Sequence, residues 1–272
     1  TTGLLVEGMH ISNVECGTAF GMSGSAAVLI DNVIENAGDH VHETGCSQID
    51  DEEGEGDWSD GITFDGPGHL ILNNTVINPT DVGIVFFGGK LTVIKGNTVK
   101  VEAGNHGAFA GIAVHPWGFG DVSFGQVVDN VVISEGDETC GGIHAGINLG
   151  GHMWNGGCIW NAATPVIGLS SCSVEPAAPM GARCPDSGVC QVYAHIAEGD
   201  TYLLTGNRVV GAHLNYLVEG VDVSGEFLYH DNLSEAPRVS DWHAARTGCE
   251  GSTWGALDFV AHGGQSATRR VA

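Results

Sequence analysis

The chain has 272 residues, including 43 glycines, and only 15% of its residues are charged. Its net charge is −24 with nine Lys plus Arg, which argues against nucleic acid as a partner because such binding requires clustered basic side chains. No apolar run reaches the roughly 18–20 residues of a membrane span, and the chain opens without a signal peptide, which indicates a mature or trimmed product.

The first stretch, residues 1–15, has the pattern of one short-stranded coil, "LLVEGMHISNVE", and carries no recognisable cap. A bare strand edge invites pairing with other chains. The pattern therefore predicts that an upstream segment or a homo-oligomer covers this end.

An acidic stretch with two histidines, "GDHVHETGCSQIDDEEGEGDWSD", ends at Asp60. His40 and His42 share one face if the segment is extended, and Asp50, Asp51 and Asp57 follow them. Oxygen-rich loops suit calcium, and imidazoles would broaden the choice of metal. Two interpretations stay open: a metal site made by these five side chains, with calcium as the ion, and a solvated acidic loop.

Short strands that begin with Gly-Ile then recur along the chain. They are "GITFD" at 61, "GIVFF" at 83, "GIAVH" at 111, "GIHAG" at 142 and, more loosely, "NYLVE" at 215. After each strand comes an Asn before apolar residues, and these positions are Asn32, Asn74, Asn97, Asn130, Asn207 and Asn232. A unit of roughly 22 residues without a helix buries its apolar face only when copies stack. The repeat predicts stacked strands with an Asn ladder at one turn.

The cysteines indicate an oxidising compartment. Their number is eight, and the paired C-x2-C spacing of zinc sites is absent. Disulfides are therefore predicted, and with them an extracellular location. Cys184–Cys190 and Cys158–Cys172 are the first candidate pairs, among the 105 connectivities that eight cysteines allow.

The order "GI-x-F … L-x-V-x-x-N-x-V" resembles the repeat of the right-handed parallel β-helix, the pectate-lyase-like superfamily. The resemblance covers most of residues 1–235. It implies an all-β, right-handed parallel β-helix, a single-stranded solenoid with long loops over one sheet. The expected insertions are residues 35–60 and 149–200, and residues 236–272 are expected to form a C-terminal capping or tail segment.

Alternation with period two places Ile62 and Phe64 on one face and Gly61, Thr63 and Asp65 on the other. Alignment of the coils on Gly-Ile predicts two outward columns, each of which carries polar side chains. The third-residue column is Thr63, Val85, Ala113 and His144; the fifth-residue column is Asp65, Phe87, His115, Gly146 and, loosely, Glu219.

The candidate catalytic residues on this face are Asp60, Asp65, Asp81, His115 and His144, where Asp60 and Asp81 lie just before their Gly-Ile strands. Paired carboxylates perform acid and base work on glycosidic bonds, and a histidine exchanges protons near neutral pH. For Asp60, Asp65 and Asp81, a purely structural role as turn residues stays open.

Candidate substrate-binding residues are the aromatic side chains beside this face together with one acid: Trp58, Phe87, Trp117, Trp154 and Glu219. Apolar sugar faces stack on aromatic rings. The alternative for the tryptophans is that they pack the loops onto the solenoid.

Three functions follow from this pattern. The first is a secreted carbohydrate-active enzyme that cleaves glycosidic bonds of a polysaccharide in a groove over the Gly-Ile strands. The second is a calcium-dependent lyase or epimerase on a uronate polymer, with a histidine as base. The third is a non-catalytic surface or adhesion β-helix. Pectate lyases need basic residues that the outward columns lack, and the polygalacturonase elements that follow "SDGI" in those enzymes are absent here, so neither chemistry carries over residue by residue.

Overall fold

The protein is described by a computed structural model. The described residues are 2–14, 17–38, 59–105, 108–115, 120–135, 142–150, 182–183, 189–190, 194–212, 214–219, 221–223 and 225–235. They form β-strands and turns, numbered β1 to β25 in chain order. None of these residues belongs to a helix with the length and apolar character that crossing a membrane requires.

Most strands fall into three parallel sheets. Sheet 1 contains β1 (Leu5–Glu7), β4 (Val28–Ile30), β7 (Leu70–Leu72), β10 (Val93–Lys95), β14 (Gln126–Val128), β20 (Thr201–Thr205) and β24 (Glu226–His230). Sheet 2 contains β2 (His10–Val14), β5 (Val33–Ala37), β8 (Thr75–Pro79), β11 (Thr98–Val101), β15 (Val131–Ser134), β21 (Arg208–Val210) and β25 (Leu233–Glu235).

Sheet 3 contains β3 (Phe20–Ser23), β6 (Ile62–Asp65), β9 (Val82–Phe86), β12 (Ala108–Val114), β16 (Ile143–Gly150) and β22 (Leu214–Glu219). The chain visits sheets 1, 2 and 3 in turn, and each strand pairs with the equivalent strand of the next coil. This arrangement confirms the predicted all-β parallel β-helix solenoid. The loosely fitting "NYLVE" strand is part of it, because Tyr216 pairs with Ile147.

Smaller elements accompany the three main sheets. A further parallel ladder joins β13 (Gly120–Asp121), β19 (Ala194–Ile196) and β23 (Val221–Val223). An antiparallel pair joins β17 (Ala182–Arg183) and β18 (Val189–Cys190). The predicted insertion at 35–60 thus starts inside β5, and the predicted insertion at 149–200 includes the end of β16 and the short strands β17 to β19.

The corner between sheets 1 and 2 is a two-residue turn repeated in each coil. Its first residue has a left-handed backbone; these residues are Gly8, Asp31, Asn73, Gly96, Asp129, Gly206 and Asp231, with φ between 53° and 68°. Gly, Asn and Asp are the residues that tolerate this conformation. From the second coil onward, the next residue is one of the six predicted Asn residues, and in the first coil it is Met9.

The six Asn side chains form the predicted ladder. Asn97, for example, donates through Nδ2 to Asn130 Oδ1 at 3.0 Å and to the Ile71 carbonyl at 2.8 Å. Its Oδ1 accepts from the backbone N–H and Nδ2 of Asn74 at 2.8 and 3.0 Å. Each interior amide therefore bonds to the coil on either side, which satisfies polar atoms that burial would otherwise penalise.

The core lies between the three sheets and is built from stacked columns of aliphatic and aromatic side chains. Ile62, Ile84 and Ile112 form one such column and are fully buried. Phe64 stacks on Phe86 with ring centroids 4.8 Å apart. Because every coil contributes to the same columns, the core is continuous along the solenoid.

Long connections flank sheet 3 on both sides. Residues 38–61 join β5 to β6, and residues 151–200 separate β16 from β20. Between sheets 1 and 2, every connection in the described residues has the same two-residue length. Insertions on one side of a solenoid commonly build its functional face, which directs attention to sheet 3.

Candidate functional site

The register of sheet 3 corrects the predicted alignment of the fourth coil. Ile112 pairs with Ile147, so Gly146-Ile147 and not Gly142-Ile143 is equivalent to the other Gly-Ile pairs. His144 therefore does not stand in the Thr63 column, which instead contains Asn148. Gly150 takes the place predicted for Gly146 in the Asp65 column, and Glu219 pairs with Gly150 as the loose alignment required.

The orientation predicted for Gly61 is also wrong. A Cβ atom at Gly61 would lie 2.5 Å from Val76 Cγ1, in the core, and not on the outer face. A Cβ at Gly111 would likewise lie 2.5 Å from Val132 Cγ1. The period-two alternation fails here because Gly61 and Ile62 both face the core, as do Gly111 and Ile112. As a result, Val82, two residues before Ile84, packs with Val85 in a second apolar cluster apart from the main core.

The predicted catalytic residues are divided between two opposite edges of sheet 3. Asp60, Asp81 and His144 lie where strands begin, and Asp65 and His115 lie where strands end. Asp65 is level with Phe87, and Asp81 lies six residues before Phe87. At about 3.3 Å per residue, this places Asp65 and Asp81 on the order of 15–20 Å apart, beyond the roughly 5–9.5 Å that separates paired glycosidase carboxylates.

At the first edge, Asp60 is a buried carboxyl group with 9% residue exposure. Its Oδ1 accepts from the Val82 N–H at 3.1 Å, and its Oδ2 accepts from Thr63 Oγ1 at 2.6 Å. Thr63 Oγ1 is also 3.0 Å from Thr18 Oγ1. Burial raises the pKa of Asp60 to about 6, although both hydrogen bonds act in the opposite direction. The group is thus poised to hold a proton in mildly acidic solution.

Asp81 lies on the coil next to Asp60 at the same edge. The Asp81 N–H donates to the Ser59 carbonyl at 3.0 Å, and the Asp60 carboxylate accepts from Val82. Asp81 therefore lies in the coil next to that of Asp60, level with Ser59 and one residue out of register with Asp60. His144 belongs to the same row two coils further on, because Ile143 pairs with Ala108 and Ala145 with Ala110. Asp81 is partly exposed.

The second edge carries the Asp65 row: Ser23, Asp65, Phe87, His115, Gly150 and Glu219. Asp65 Oδ2 accepts from Ser23 Oγ at 2.9 Å. The Phe87 ring meets His115 edge-on, with centroids 6.2 Å apart. Asp65 and Phe87 are partly exposed, whereas His115 is fully buried. Asp65 and His115 share one row, as predicted, with Phe87 between them.

The middle of the outer face, between the two edges, is apolar and buried. Val85, Ala113 and Leu217 lie in the Thr63 column with exposures of 4% or less. Thr63 and Asn148 are the polar members of this column. The face therefore offers polar chemistry at its edges and little at its centre.

Several predicted site residues lie outside the described residues. These are the metal candidates His40, His42, Asp50, Asp51 and Asp57 and the aromatic candidates Trp58, Trp117 and Trp154. The candidate disulfide partners Cys158, Cys172 and Cys184 also fall there, and Cys190, His144 and Glu219 are described by their backbone only. Within the described part of the chain, no group of three His, Cys, Asp or Glu side chains could hold a metal ion.

Two residues of the Asp60 environment, Thr18 and Thr63, were not predicted as functional. Thr63 belongs to the predicted third-residue outward column, and "DGIT" shows that it follows Asp60 by three residues. Thr18 is 45 residues from Thr63, and no local signal connects the two.

The chain matches no protein-family model, no curated protein and no solved structure.

Proposed function

We propose that the protein is a carbohydrate-active enzyme that cleaves glycosidic bonds of a polysaccharide, with Asp60 as general acid and Asp81 as its carboxylate partner. The observation that carries this proposal is Asp60: a carboxyl group with 9% exposure whose pKa is raised to about 6 by burial. A glycosidase needs one carboxyl group that stays protonated and a second that ionises readily. Asp81, partly exposed and one coil away, suits the second role.

In this mechanism, protonated Asp60 donates its proton to the glycosidic oxygen as the bond to the anomeric carbon breaks. Asp81 as a carboxylate either activates a water molecule that attacks the anomeric carbon, or attacks that carbon itself. In the second case the Asp60 carboxylate takes a proton from water, which hydrolyses the glycosyl ester and releases Asp81. Thr63 keeps the Asp60 carboxyl oriented through the 2.6 Å hydrogen bond. His144, in the same row, remains a candidate assisting group.

The distribution of basic residues supports a neutral glycan. Among the described residues, no strand of sheet 3 carries Lys or Arg. The basic side chains that the structure describes, Lys90, Lys95, Lys100 and Arg208, each lie within 4 Å of a carboxylate. Binding of a uronate polymer without a metal ion would require unpaired positive charge on the protein. The full burial of His115 also gives less support to a calcium-dependent lyase or epimerase that uses His115 as base.

The proposed site is tested with a panel of neutral and uronic-acid polysaccharides, with calcium and then with chelator. Reducing ends and the ultraviolet absorbance of unsaturated uronates are followed together. We expect reducing ends without absorbance, a pH optimum near the Asp60 pKa, and loss of turnover by about 10²-fold or more in Asp60→Asn and Asp81→Asn. Asp65→Asn, at the opposite edge, is the matched control and should retain activity.

Other outcomes would redirect the assignment. Absorbance that depends on calcium would favour the lyase or epimerase on uronates. Activity lost in Asp65→Asn and His115→Ala but kept in Asp60→Asn would move the site to the second edge. No turnover on any polymer, together with binding to one of them, would favour a non-catalytic surface β-helix in which Asp60 only braces Val82 and Thr63.

The proposed location is extracellular, and its support is the even number of cysteines, eight. Thiol titration of the protein unfolded without reductant checks this point. Few or no reactive thiols are expected, and eight free thiols would contradict the proposed disulfides and the location with them.

A further inference from the structure

Sheet 1 carries a run of aliphatic side chains on its outer face. One column contains Leu5, Val28, Leu70, Val93, Gln126, Leu203 and Leu228, and the next outward column contains Ile30 and Leu72 beside the polar residues Glu7, Lys95, Thr205 and His230. We call the eight aliphatic residues of this set the aliphatic stripe. Leu5 is 61% exposed and Leu70 37% exposed. The other six residues of the stripe are partly exposed. Contiguous apolar surface that solvent reaches commonly marks an interaction site.

The stripe continues onto the neighbouring corner. Leu91 is 58% exposed and Phe124 is 41% exposed, and both have a positive φ, of 62° and 58°. Neither side chain gains burial from this position, and neither residue type favours a left-handed backbone. The two residues are adjacent across coils, because Val93 pairs with Gln126. Leu91 and Phe124 thus expose apolar side chains at two positions whose backbone conformation favours Gly or Asn.

Sheet 2 shows that an exposed face of this solenoid need not be apolar. Its outer side chains pair in ion pairs: His10 with Glu35, Lys100 with Glu135 and Arg208 with Glu235. The aliphatic stripe is therefore a property of sheet 1 and not of the coil repeat.

We infer that the aliphatic stripe docks a cationic amphipathic segment of another protein. Charge is the first argument, since the chain carries a net charge of −24. Lys90 and Lys95, which border the stripe, are neutralised by Asp121 and Asp129. Glu7 and Asp31 at its edge take part in no ion pair among the described residues. Apolar contacts flanked by unpaired acids complement a partner that combines Leu-like and Lys-like side chains.

Area is the second argument. Five of the seven strands of sheet 1 have three residues and are about 10 Å long at about 3.3 Å per residue, and seven strands at about 4.8 Å extend about 30 Å. The outer face that contains the stripe therefore has an area of roughly 300 Å², and the stripe itself is smaller. A stable interface between two folded proteins buries about 800 Å² on each partner. Two copies with a charge of −24 each would also repel one another. A single narrow segment fits the stripe better than a second copy does.

The inference is tested by titrating the protein with a synthetic peptide of about 20 residues, a length that spans about 30 Å as a helix, with Leu at helical spacing and Lys elsewhere. The titration is made at physiological salt, where purely electrostatic contacts are screened. A peptide with Glu in place of Lys serves as the charge control. Far-ultraviolet circular dichroism and the Tm establish that every variant is folded.

Three variants that leave the net charge unchanged locate the contact: Leu70→Ser, the double variant Leu5→Ser/Leu70→Ser, and the matched control Leu233→Ser on sheet 2, where Leu233 is 50% exposed. We expect Kd to rise at least about tenfold in the double variant, since two leucine contacts are lost, and to stay unchanged in Leu233→Ser. The Leu/Glu peptide should not bind.

Three results would overturn the inference. Equal affinity of all variants for the Lys peptide would show attraction by net charge alone. A dimer in sedimentation that Leu5→Ser/Leu70→Ser dissociates would identify a second copy as the occupant. Binding to neutral phosphatidylcholine vesicles that the same double variant abolishes would identify a lipid surface.

Discussion

The two kinds of corner in this solenoid follow different rules. Between sheets 1 and 2, each coil turns in two residues, the first left-handed and the second, in six coils, an Asn of the ladder. Beside sheet 3, the connections vary from a few residues to the span between β16 and β20. The ladder corner sets coil spacing through hydrogen bonds that tolerate no insertion, whereas the sheet 3 corners can lengthen without disturbing the stack. In the described part of the chain, the connections of variable length lie beside sheet 3, where the proposed site also lies.

The largest effect on stability is expected from a substitution in the glycine column of sheet 3. A Cβ at Gly111 would lie 2.5 Å from Val132 Cγ1 and 2.6 Å from the Gly146 carbonyl oxygen. Gly111→Ala should therefore lower the free energy of unfolding by about 3–5 kcal/mol, because backbone of the adjacent coil has to shift. Chemical denaturation measures the change.

Gly21→Ala is the matched control for that variant. Gly21 lies in the same sheet, and a Cβ there would have only Thr18 Cγ2 near it, at 4.0 Å. Its stability should be unchanged or slightly raised. Equal destabilisation by the two substitutions would show that the close approach at Gly111 relaxes at little cost.

The ladder corner is tested next, with Asn97→Ala in its interior. The substitution leaves the buried Asn74 N–H, the Ile71 carbonyl and Asn130 Oδ1 short of a partner. We expect a loss of about 2–4 kcal/mol in the free energy of unfolding. Asn232→Ala at the partly buried end of the ladder should cost less, and an equal cost would contradict a cooperative ladder.

A pH-dependent effect of comparable size distinguishes the sheet 3 edge from the ladder. The folded-state pKa of Asp60 is about 6 against an ordinary value of 3.8. Because the folded pKa is the higher one, stabilisation from Asp60 is present below about pH 4 and is lost as the pH rises through about 6. The loss is about 3 kcal/mol, at 1.36 kcal/mol per unit.

Asp60→Asn should therefore flatten the pH dependence of the Tm between about pH 4 and 7. It should also make the variant more stable than the wild type at neutral pH. The side-chain amides of the ladder do not titrate, so no equivalent dependence is expected from that corner. If the Tm of the wild type does not change between about pH 4 and 7, ionisation of Asp60 does not destabilise the folded state and the prediction is wrong.

The smallest effect is expected on the outer face of sheet 2. Arg208 pairs with Glu235 at 2.6 Å, and both side chains are exposed. Surface ion pairs of this kind contribute little and are screened by salt. Arg208→Met should leave the Tm almost unchanged at physiological salt, as a thermal melt at two salt concentrations would show.

The sequence predicted those features whose causes repeat locally. The ladder was predictable because Asn recurs before apolar strands at each of six positions, from Asn32 to Asn232. The register of β16 was not, because "GIHAGI" contains Gly-Ile twice, four residues apart. Only the pairing of β16 with β12 shows that Gly146, and not Gly142, is equivalent to Gly111.

The candidate site was only partly predictable for a similar reason. The positions of Asp60 and Asp81 before Gly-Ile strands predicted both residues as candidates, but grouping Asp65 with them on one face ignored the length of a strand. Asp60 accepts hydrogen bonds from Val82 and Thr63, and Thr63 in turn contacts Thr18, which is far away in sequence. Such non-local surroundings, which set the pKa, leave no pattern along the chain.

The asparagine ladder gives the molecule a direction. Each Asn donates hydrogen bonds to the Asn of the following coil, from Asn32 to Asn74 and so on to Asn232. Each Oδ1 accepts hydrogen bonds from the preceding coil. Met9 occupies the rung before Asn32 and has no side-chain oxygen to receive with, although its N–H donates to Asn32 Oδ1 at 3.0 Å. The side-chain amides of the ladder are therefore aligned head to tail along the solenoid axis. In such a row each hydrogen bond polarises the next, so that the strength of one bond depends on the others.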